Sequence, residues 1–262
     1  MTRSKTLILI LFLLPVTLLA QIRVGTLVIK KNEVYDIGQS DILVADTLIM
    51  LDSSRLVLNK LKRENYLRVQ TAIFGNHCVI DGRGIDGKPG RDGKPGLSPS
   101  VPCSSGQPGT NGGRGLDGAP GINLFLYLER ITLNGTLIID LRGGEGGKGG
   151  NGGNGGGGSP GTVHCLGGDG ANGGNAGPGG NGANGGTLTL NGAIASWMKD
   201  MIGKKQIVVR ITGGYAGSPG RAGYRGPAGL GPARKNGKDG LPGTESASGK
   251  SGNQGTINFE SN

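Results

Sequence analysis

The segment 143–186 constrains the fold of this chain more than any other. It reads GGEGGKGGNGGNGGGGSPG, is interrupted by TVHCL, and resumes as GGDGANGGNAGPGGNGANGG. From residue 143 to residue 161 every third residue is glycine, and most triplets contain a second glycine. Glycine has no side chain to bury and loses the most conformational freedom on ordering, so this composition excludes an ordinary helix or strand. A three-residue period is typical of the polyproline-II conformation, which has three residues per turn.

In such a helix each triplet position forms one straight edge, and an edge made only of glycine lets a neighbouring backbone approach closely. The segment therefore predicts two polyglycine-II arms joined by a turn. Because most of its triplets are Gly-Gly-X, we expect this pair to be central, with two layers of three arms. The predicted packing glycines of the first arm are Gly143, Gly146, Gly149, Gly152, Gly155, Gly158 and Gly161.

Glycine-rich pairs of this kind occur three times, at about 81–121, 143–186 and 213–255. Strand-like segments precede them (CVIDGRG, IIDLRGG, VVRITGG) and follow them (GINLFLYL, GGTLTLNG, QGTINFE). Paired arms of nearly equal length that start and end in strands are what hairpins on a common β base require. The predicted fold is a mostly β base with one short helix, carrying three hairpins of polyglycine-II helices as a six-arm bundle.

The region 21–80 predicts the first part of the β base. Alternating or apolar runs at 22–30, 42–50, 56–58, 66–74 and 78–80 are separated by polar turns. Their spacing resembles a short β-solenoid of the pectin-lyase type, and a small β-sandwich would give the same pattern. The predicted domains are a signal peptide (1–20), an N-terminal β domain (21–80), and the three hairpins joined by strands (81–262). One helix is expected at 193–202, where a single apolar stripe is formed by Ile194, Trp197, Met198, Met201 and Ile202.

The first twenty residues have the features of a secretory signal: basic Arg3 and Lys5, an apolar run at 7–14, and LLAQ at the end. The protein is therefore expected to be secreted or to lie at the cell surface, with no membrane span in the mature chain. Three cysteines in an exported chain suggest one disulfide. Cys103 and Cys165 both lie in breaks between arms and are the predicted pair. Cys78, in an apolar strand, is expected to be a buried small hydrophobe.

Two Pro-containing stretches, GKPGRDGKPG and GSPGRAGYRGPAG, resemble collagen-like bacterial surface proteins. The glycine triplets as a whole are similar to proteins built from bundled polyglycine-II helices, such as a glycine-rich antifreeze protein and some phage tip adhesins. The resemblance implies a structural or adhesive role. A collagen-type trimer and a flexible glycine-rich coil remain structural alternatives to a monomeric bundle. Ice binding is a functional alternative, for which only the Ala/Asn-rich arm 167–186 could supply a flat face.

The last glycine-rich pair is basic and contains two tyrosines. This composition suggests a contact surface for an acidic polysaccharide or a cell-surface glycan, and a solvated face that maintains solubility is the other interpretation. Export argues against nucleic acid as a partner. The candidate contact residues are Tyr215, Arg221, Tyr224, Arg225, Arg234, Lys235, Lys238 and Lys250.

No sequence motif indicates catalysis, a cofactor or a metal. His164 beside Cys165 provides only two adjacent side chains, which is not a structural zinc pattern. Asp81, Asp86 and Asp92 would form a lyase-like carboxylate cluster only on a complete solenoid. The expected function is that of an exported, non-enzymatic structural or adhesive protein. The alternative is a fragment of a β-solenoid carbohydrate-active enzyme.

Overall fold

The structure is a computed structural model that describes residues 21–191 and 195–260. The predicted signal peptide (1–20) and the first residues of the predicted helix (193–194) lie outside the described residues. Within the described ranges the chain forms eleven β-strands and one α-helix. The strands are β1 (Gln21–Ile29), β2 (Val34–Asp36), β3 (Ile42–Met50), β4 (Arg55–Val57), β5 (Glu64–Phe74), β6 (Cys78–Asp81), β7 (Asn123–Leu133), β8 (Leu137–Asp140), β9 (Leu188–Asn191), β10 (Ile207–Arg210) and β11 (Ile257–Glu260).

The strands form two parallel sheets, and the chain alternates between them. Sheet A has the order β1-β3-β5-β7-β9-β11, and sheet B has the order β10-β8-β6-β4-β2. Each turn of the chain thus adds one strand to each sheet. The predicted mostly β base is confirmed, and its parallel ladders correspond to the solenoid alternative rather than to a sandwich of antiparallel strands. Both sheets contain strands from before and after residue 80.

The core lies between the two sheets, because alternate residues of each strand point inward. Leu43, Leu67 and Leu126 stack in register across sheet A and are 1% exposed or less. In sheet B, Leu56 and Ile80 pair in the same way and are fully buried. Strand β2, too short to show a periodicity, was missed by the sequence analysis.

The helix α1 (Ala195–Gly203) connects β9 to β10 and packs against β10 and β11. Ala195, Met198 and Met201 are its buried residues, so the predicted apolar stripe does cover the end of the stack. Trp197, which belongs to the same predicted stripe, is 37% exposed.

The three glycine-rich regions are long excursions between successive turns of the β stack. Arms 1 (82–98), 3 (141–159) and 5 (211–229) continue from the sheet B strands β6, β8 and β10. Arms 2 (104–122), 4 (167–187) and 6 (237–256) return to the sheet A strands β7, β9 and β11. The described arms carry no helix or strand assignment.

Backbone hydrogen bonds arrange the arms in two layers of three. Within a layer the arms are parallel: Gly87 N–H donates to Glu145 O at 2.7 Å, and Gly146 N–H to Tyr215 O at 2.9 Å. Between layers the arms are antiparallel: Gly150 N–H donates to Gly113 O, and Gly177 N–H to Gly150 O. Arm 3 is hydrogen-bonded to arms 1 and 5 in its own layer and to arms 2 and 4 in the other layer. Arm 4 is hydrogen-bonded to arms 2 and 6 in its own layer and to arms 3 and 5 in the other layer. The Gly-Gly-X pair is therefore central, as its composition predicts.

The registers of the sheets continue into the arms. Cys78 pairs with Leu137 across β6 and β8, and Glu145 N–H donates to Asp86 Oδ1 with the same 59-residue separation. The sheets thus set the alignment of the arms that leave them.

The glycines are required because neighbouring backbones leave no room for a Cβ atom. A Cβ added at Gly152 would lie 2.0 Å from Gly174 O, and one at Gly143 would lie 2.0 Å from Ala183 O. Similar approaches of 2.0–2.1 Å to a carbonyl oxygen of arm 4 occur at four other predicted packing glycines, Gly146, Gly149, Gly155 and Gly158. At Gly161 the nearest atom is the backbone nitrogen of Gly167, at 2.5 Å. Among the described glycines only Gly38 has a positive φ, so the arms use glycine for its size.

Candidate functional site

Three of the predicted contact residues form one row on the outside of arm 5. Tyr215, Arg221 and Tyr224 are separated by multiples of three residues and are exposed, the tyrosines by 74% and 77%. Arg221 N–H donates to Asn151 Oδ1 at 2.9 Å, and Tyr224 N–H to Asn154 Oδ1 at 3.0 Å. This row lies on the outer surface of the layer formed by arms 1, 3 and 5.

The other predicted contact residues lie elsewhere. Arg225 forms an ion pair with Asp239 of arm 6 at 3.2 Å. Lys238 and Lys250 lie on the outside of arm 6, where their backbone N–H groups donate to Oδ1 of Asp169 and of Asn181 in arm 4. Arg234 ends a short 3-10 helix, Pro232–Arg234, in the turn between arms 5 and 6, and Lys235 follows it. The basic cluster of the sequence is therefore distributed over several surfaces.

Asparagine and aspartate side chains link adjacent arms on both outer faces. On arm 4, Asn172 accepts from Leu241 N–H at 2.8 Å and Asn175 accepts from Thr244 N–H at 2.9 Å. Asn181 and Asn184 repeat the contact along the same arm. These asparagines belong to the arm for which a flat ice-binding face was considered. Their Oδ1 atoms accept hydrogen bonds from the backbone of arm 6.

The turns at the far end of the bundle are connected to each other. A disulfide joins Cys103 and Cys165, the pair predicted from their positions, with the Cα atoms 6.1 Å apart. Cys103 N–H also donates to Pro160 O, and Gly161 N–H donates to Leu230 O. Cys78 is free and buried, as expected. Covalent and backbone links therefore hold the three turns together.

A cavity of about 490 Å³ lies on the outside of sheet B, where arms 1 and 3 begin. Its floor includes Val79 and Ile138, which are outward-facing residues of β6 and β8. Its charged lining residues are Arg55, Lys60, Asp81, Arg83, Asp86, Asp140, Arg142 and Arg210. These five basic and three acidic side chains leave the lining with a surplus of two positive charges. We call it the basal cavity.

Two stacked aspartates organise the basal cavity. Asp81 and Asp140 are paired in register on β6 and β8, and both are buried. Asp81 accepts hydrogen bonds from Arg55 Nη1 at 2.9 Å and from the backbone N–H of Arg83 at 3.0 Å. Asp140 accepts from Arg142 Nε and Nη2 at 2.9 and 2.6 Å. The motif Asp-x-Arg at the end of two successive sheet B strands places the same acid–base pair on neighbouring turns.

The charge state of the Asp140–Arg142 pair follows from its surroundings. Burial alone would raise the pKa of Asp140, but hydrogen bonds and the positive charge of Arg142 outweigh burial, and the pKa is lowered. The hydrogen bond to Asp140 raises the pKa of Arg142. Both groups are therefore charged at neutral pH, and Asp140 is suited to fixing a cation or hydroxyl group rather than to donating a proton.

Of the carboxylates considered in the sequence analysis, Asp81 and Asp86 line the basal cavity. Asp92 lies farther along arm 1 and accepts from Asn151 N–H. The sequence analysis missed Asp140, although the repeated DGR and DLR at the ends of two strand segments were the available signal. Within the described residues no group of three or more His, Cys, Asp or Glu side chains is placed to hold a metal ion.

Comparisons with known proteins identify no relative of this chain: no family model, curated protein or solved structure matches it. In the described part of the chain, no helix is both long enough and apolar enough to cross a membrane.

Proposed function

We propose that this chain is an exported, non-enzymatic structural or adhesive protein in which the β base displays a rigid polyglycine-II bundle. The three glycine-rich regions are the hairpins of the bundle, and the outer surface of the bundle contacts an acidic polysaccharide or a cell-surface glycan. The role is a mechanical one: to hold a binding surface at a fixed distance from the base.

The hydrogen-bond directions of arm 3 are the observation that carries the proposal. In one triplet, Gly143 N–H donates to arm 5, Gly144 N–H donates to arm 2, and Glu145 N–H donates to Asp86 of arm 1. Three successive N–H groups that point to three different neighbours are typical of a helix with three residues per turn. Negative φ at the arm glycines agrees with this conformation.

Pairing of every glycine N–H in the central arms supports rigidity. Ordering a glycine costs about 1–2 kcal/mol of backbone entropy, so an unpaired glycine-rich chain would remain flexible. In arms 3 and 4 the N–H of each glycine donates a hydrogen bond to another arm or to the turn between arms 5 and 6. The disulfide between Cys103 and Cys165 restrains the turns far from the β base.

The row Tyr215, Arg221 and Tyr224 is the proposed contact surface. In the described chain Arg221 forms no ion pair, so its guanidinium is free to bind a carboxylate or sulfate of a glycan. The exposed tyrosine rings offer apolar faces to sugar rings. The row spans about 28 Å at a rise of about 3.1 Å per residue, which accommodates several sugar units.

Binding of the full-length chain to immobilised polyuronate, with a neutral glucan as the comparison, tests the proposal. We expect retention on the polyuronate that decreases with salt, because surface charges are screened. Arg221→Gln and Tyr224→Ala should weaken retention, whereas Lys238→Gln, which removes one charge from arm 6, should do so much less. Equal retention on the neutral glucan, or equal effects of the three substitutions, would contradict the proposed contact surface.

A further inference from the structure

We infer that the basal cavity is a second binding site, specific for a single sugar residue that carries a carboxylate, such as a hexuronate. The inference does not depend on the adhesive role, because the basal cavity shares no residue with the row Tyr215, Arg221 and Tyr224. It is carried by the combination of unused guanidinium donors, an apolar floor and a volume suited to a small ligand.

The first observation is the surplus of donors. Arg210 Nη1 lies 4.0 Å from Asp140 Oδ2, beyond hydrogen-bond distance, and its side chain is 47% exposed. Arg55 uses Nη1 for Asp81, and in the described chain its other guanidinium nitrogens make no hydrogen bond. A planar guanidinium with free N–H groups matches the two oxygens of a carboxylate. The surplus of two positive charges favours an anion.

The second observation is the arrangement of the aspartates. Asp81 and Asp140 are held in place by Arg55 and Arg142, so the positions of their oxygens are set before a ligand arrives. Asp81 accepts three hydrogen bonds, from Arg55, Lys60 and the backbone N–H of Arg83, and an ionised carboxylate can accept about four, so it can still accept one from a hydroxyl group. A hydroxyl acceptor beside guanidinium groups that have unused N–H donors distinguishes a hydroxylated acid from a simple anion, which needs only the guanidinium groups.

The third observation is the apolar floor. Val79 and Ile138 lie between the charged side chains and face outward from β6 and β8. A pyranose ring presents C–H groups on its faces and hydroxyl groups at its rim, and it therefore fits an apolar floor surrounded by polar groups. A cavity of about 490 Å³ is within the usual range for small-molecule sites.

The test is calorimetric titration of the full-length chain with glucuronate, with glucose and acetate as comparison ligands. We expect glucuronate to bind, and glucose and acetate to bind at least about tenfold more weakly, because each lacks one set of contacts. Arg210→Gln should weaken glucuronate binding by about tenfold or more, since it removes charged hydrogen bonds. It leaves Asp140 paired with Arg142, so the fold should be retained.

Arg91→Gln is the matched control, because Arg91 is exposed on arm 1 and makes no ion pair in the described chain. It should leave the affinity for glucuronate unchanged. The inference is overturned if glucuronate does not bind, if acetate binds equally well, or if both substitutions weaken binding to the same extent. Arg221→Gln separates the two proposals: it should weaken retention on polyuronate without changing the affinity of the basal cavity for free glucuronate.

Discussion

The backbone N–H of Arg221 donates a hydrogen bond to Oδ1 of Asn151, and the N–H of Asn151 in turn donates to Oδ1 of Asp92. One side chain in each arm thus satisfies an outward-facing N–H group in the next arm. The same arrangement recurs on the opposite face, where Thr244 N–H donates to Asn175 Oδ1 and Asn175 N–H donates to Asn111 Oδ1. These contacts explain why Asn and Asp occupy many of the X positions: a short side chain with an acceptor reaches the neighbouring backbone.

Removing one such acceptor should lower stability modestly. We expect Asn151→Ala to reduce the free energy of unfolding by about 0.5–1.5 kcal/mol, because water can partly replace the lost bond at the surface. Asn151→Asp keeps the acceptor and should cost less. Lys148→Ala, in the same row of arm 3 but without a side-chain hydrogen bond, is the control. Chemical denaturation of the three variants measures the difference, and equal losses for Asn151→Ala and Lys148→Ala would contradict a structural role for the asparagine.

Adding one methyl group inside the bundle should be far more damaging. Gly152→Ala would place a Cβ 2.0 Å from the carbonyl oxygen of Gly174, and neither backbone can move without breaking other hydrogen bonds. We expect a loss of about 3 kcal/mol or more. Gly203→Ala is the matched control, since nothing lies within 4 Å of a Cβ at that position and its φ is not left-handed. Similar thermal melting curves for the two variants would show that the arms are not closely packed.

Loss of the disulfide should destabilise the whole protein. Cys103 and Cys165 are 62 residues apart, and closing a loop of that size removes about 4 kcal/mol of unfolded-state entropy in the chain-entropy model. The double variant Cys103→Ser/Cys165→Ser should therefore melt several degrees lower than the wild type. A reducing agent should lower the melting temperature of the wild type but not that of the double variant. An unchanged wild-type melting temperature after complete reduction would refute the stabilising role.

The Asp140–Arg142 pair predicts loss of stability in acid. The pKa of Asp140 is lowered in the folded protein, so the unfolded chain takes up a proton at higher pH than the folded protein does. The stabilising contribution is complete above the unfolded pKa, near 4, and is lost as the pH falls through the lower folded value. The free energy of unfolding, measured by urea denaturation from neutral pH to strong acid, should decrease less steeply with falling pH for Asp140→Asn than for the wild type. An equally steep decrease in both proteins would argue against the contribution of this pair.

Local sequence accounts for much of the architecture. Triplets of glycine indicate arms because the exclusion of Cβ atoms is a property of each position, and Gly152 could be identified without knowing its neighbour. The positions of Cys103 and Cys165 in the breaks between arms were enough to pair them. The apolar alternation of β3 and β5 was enough to predict strands, because it reflects one buried face.

The chain by itself thus determined most of the strands, the glycine arms and the cysteine pair, because these depend on local spacing and composition. Only the tertiary structure decided which arms are neighbours, which acceptors they share, and where charges meet. Asp81 and Asp140 are far apart in sequence and become neighbours only through the register of β6 and β8. Arg225 and Arg221 are close in sequence, yet they lie in different rows, since a change of one residue in a three-residue period turns the side chain toward another side of the arm.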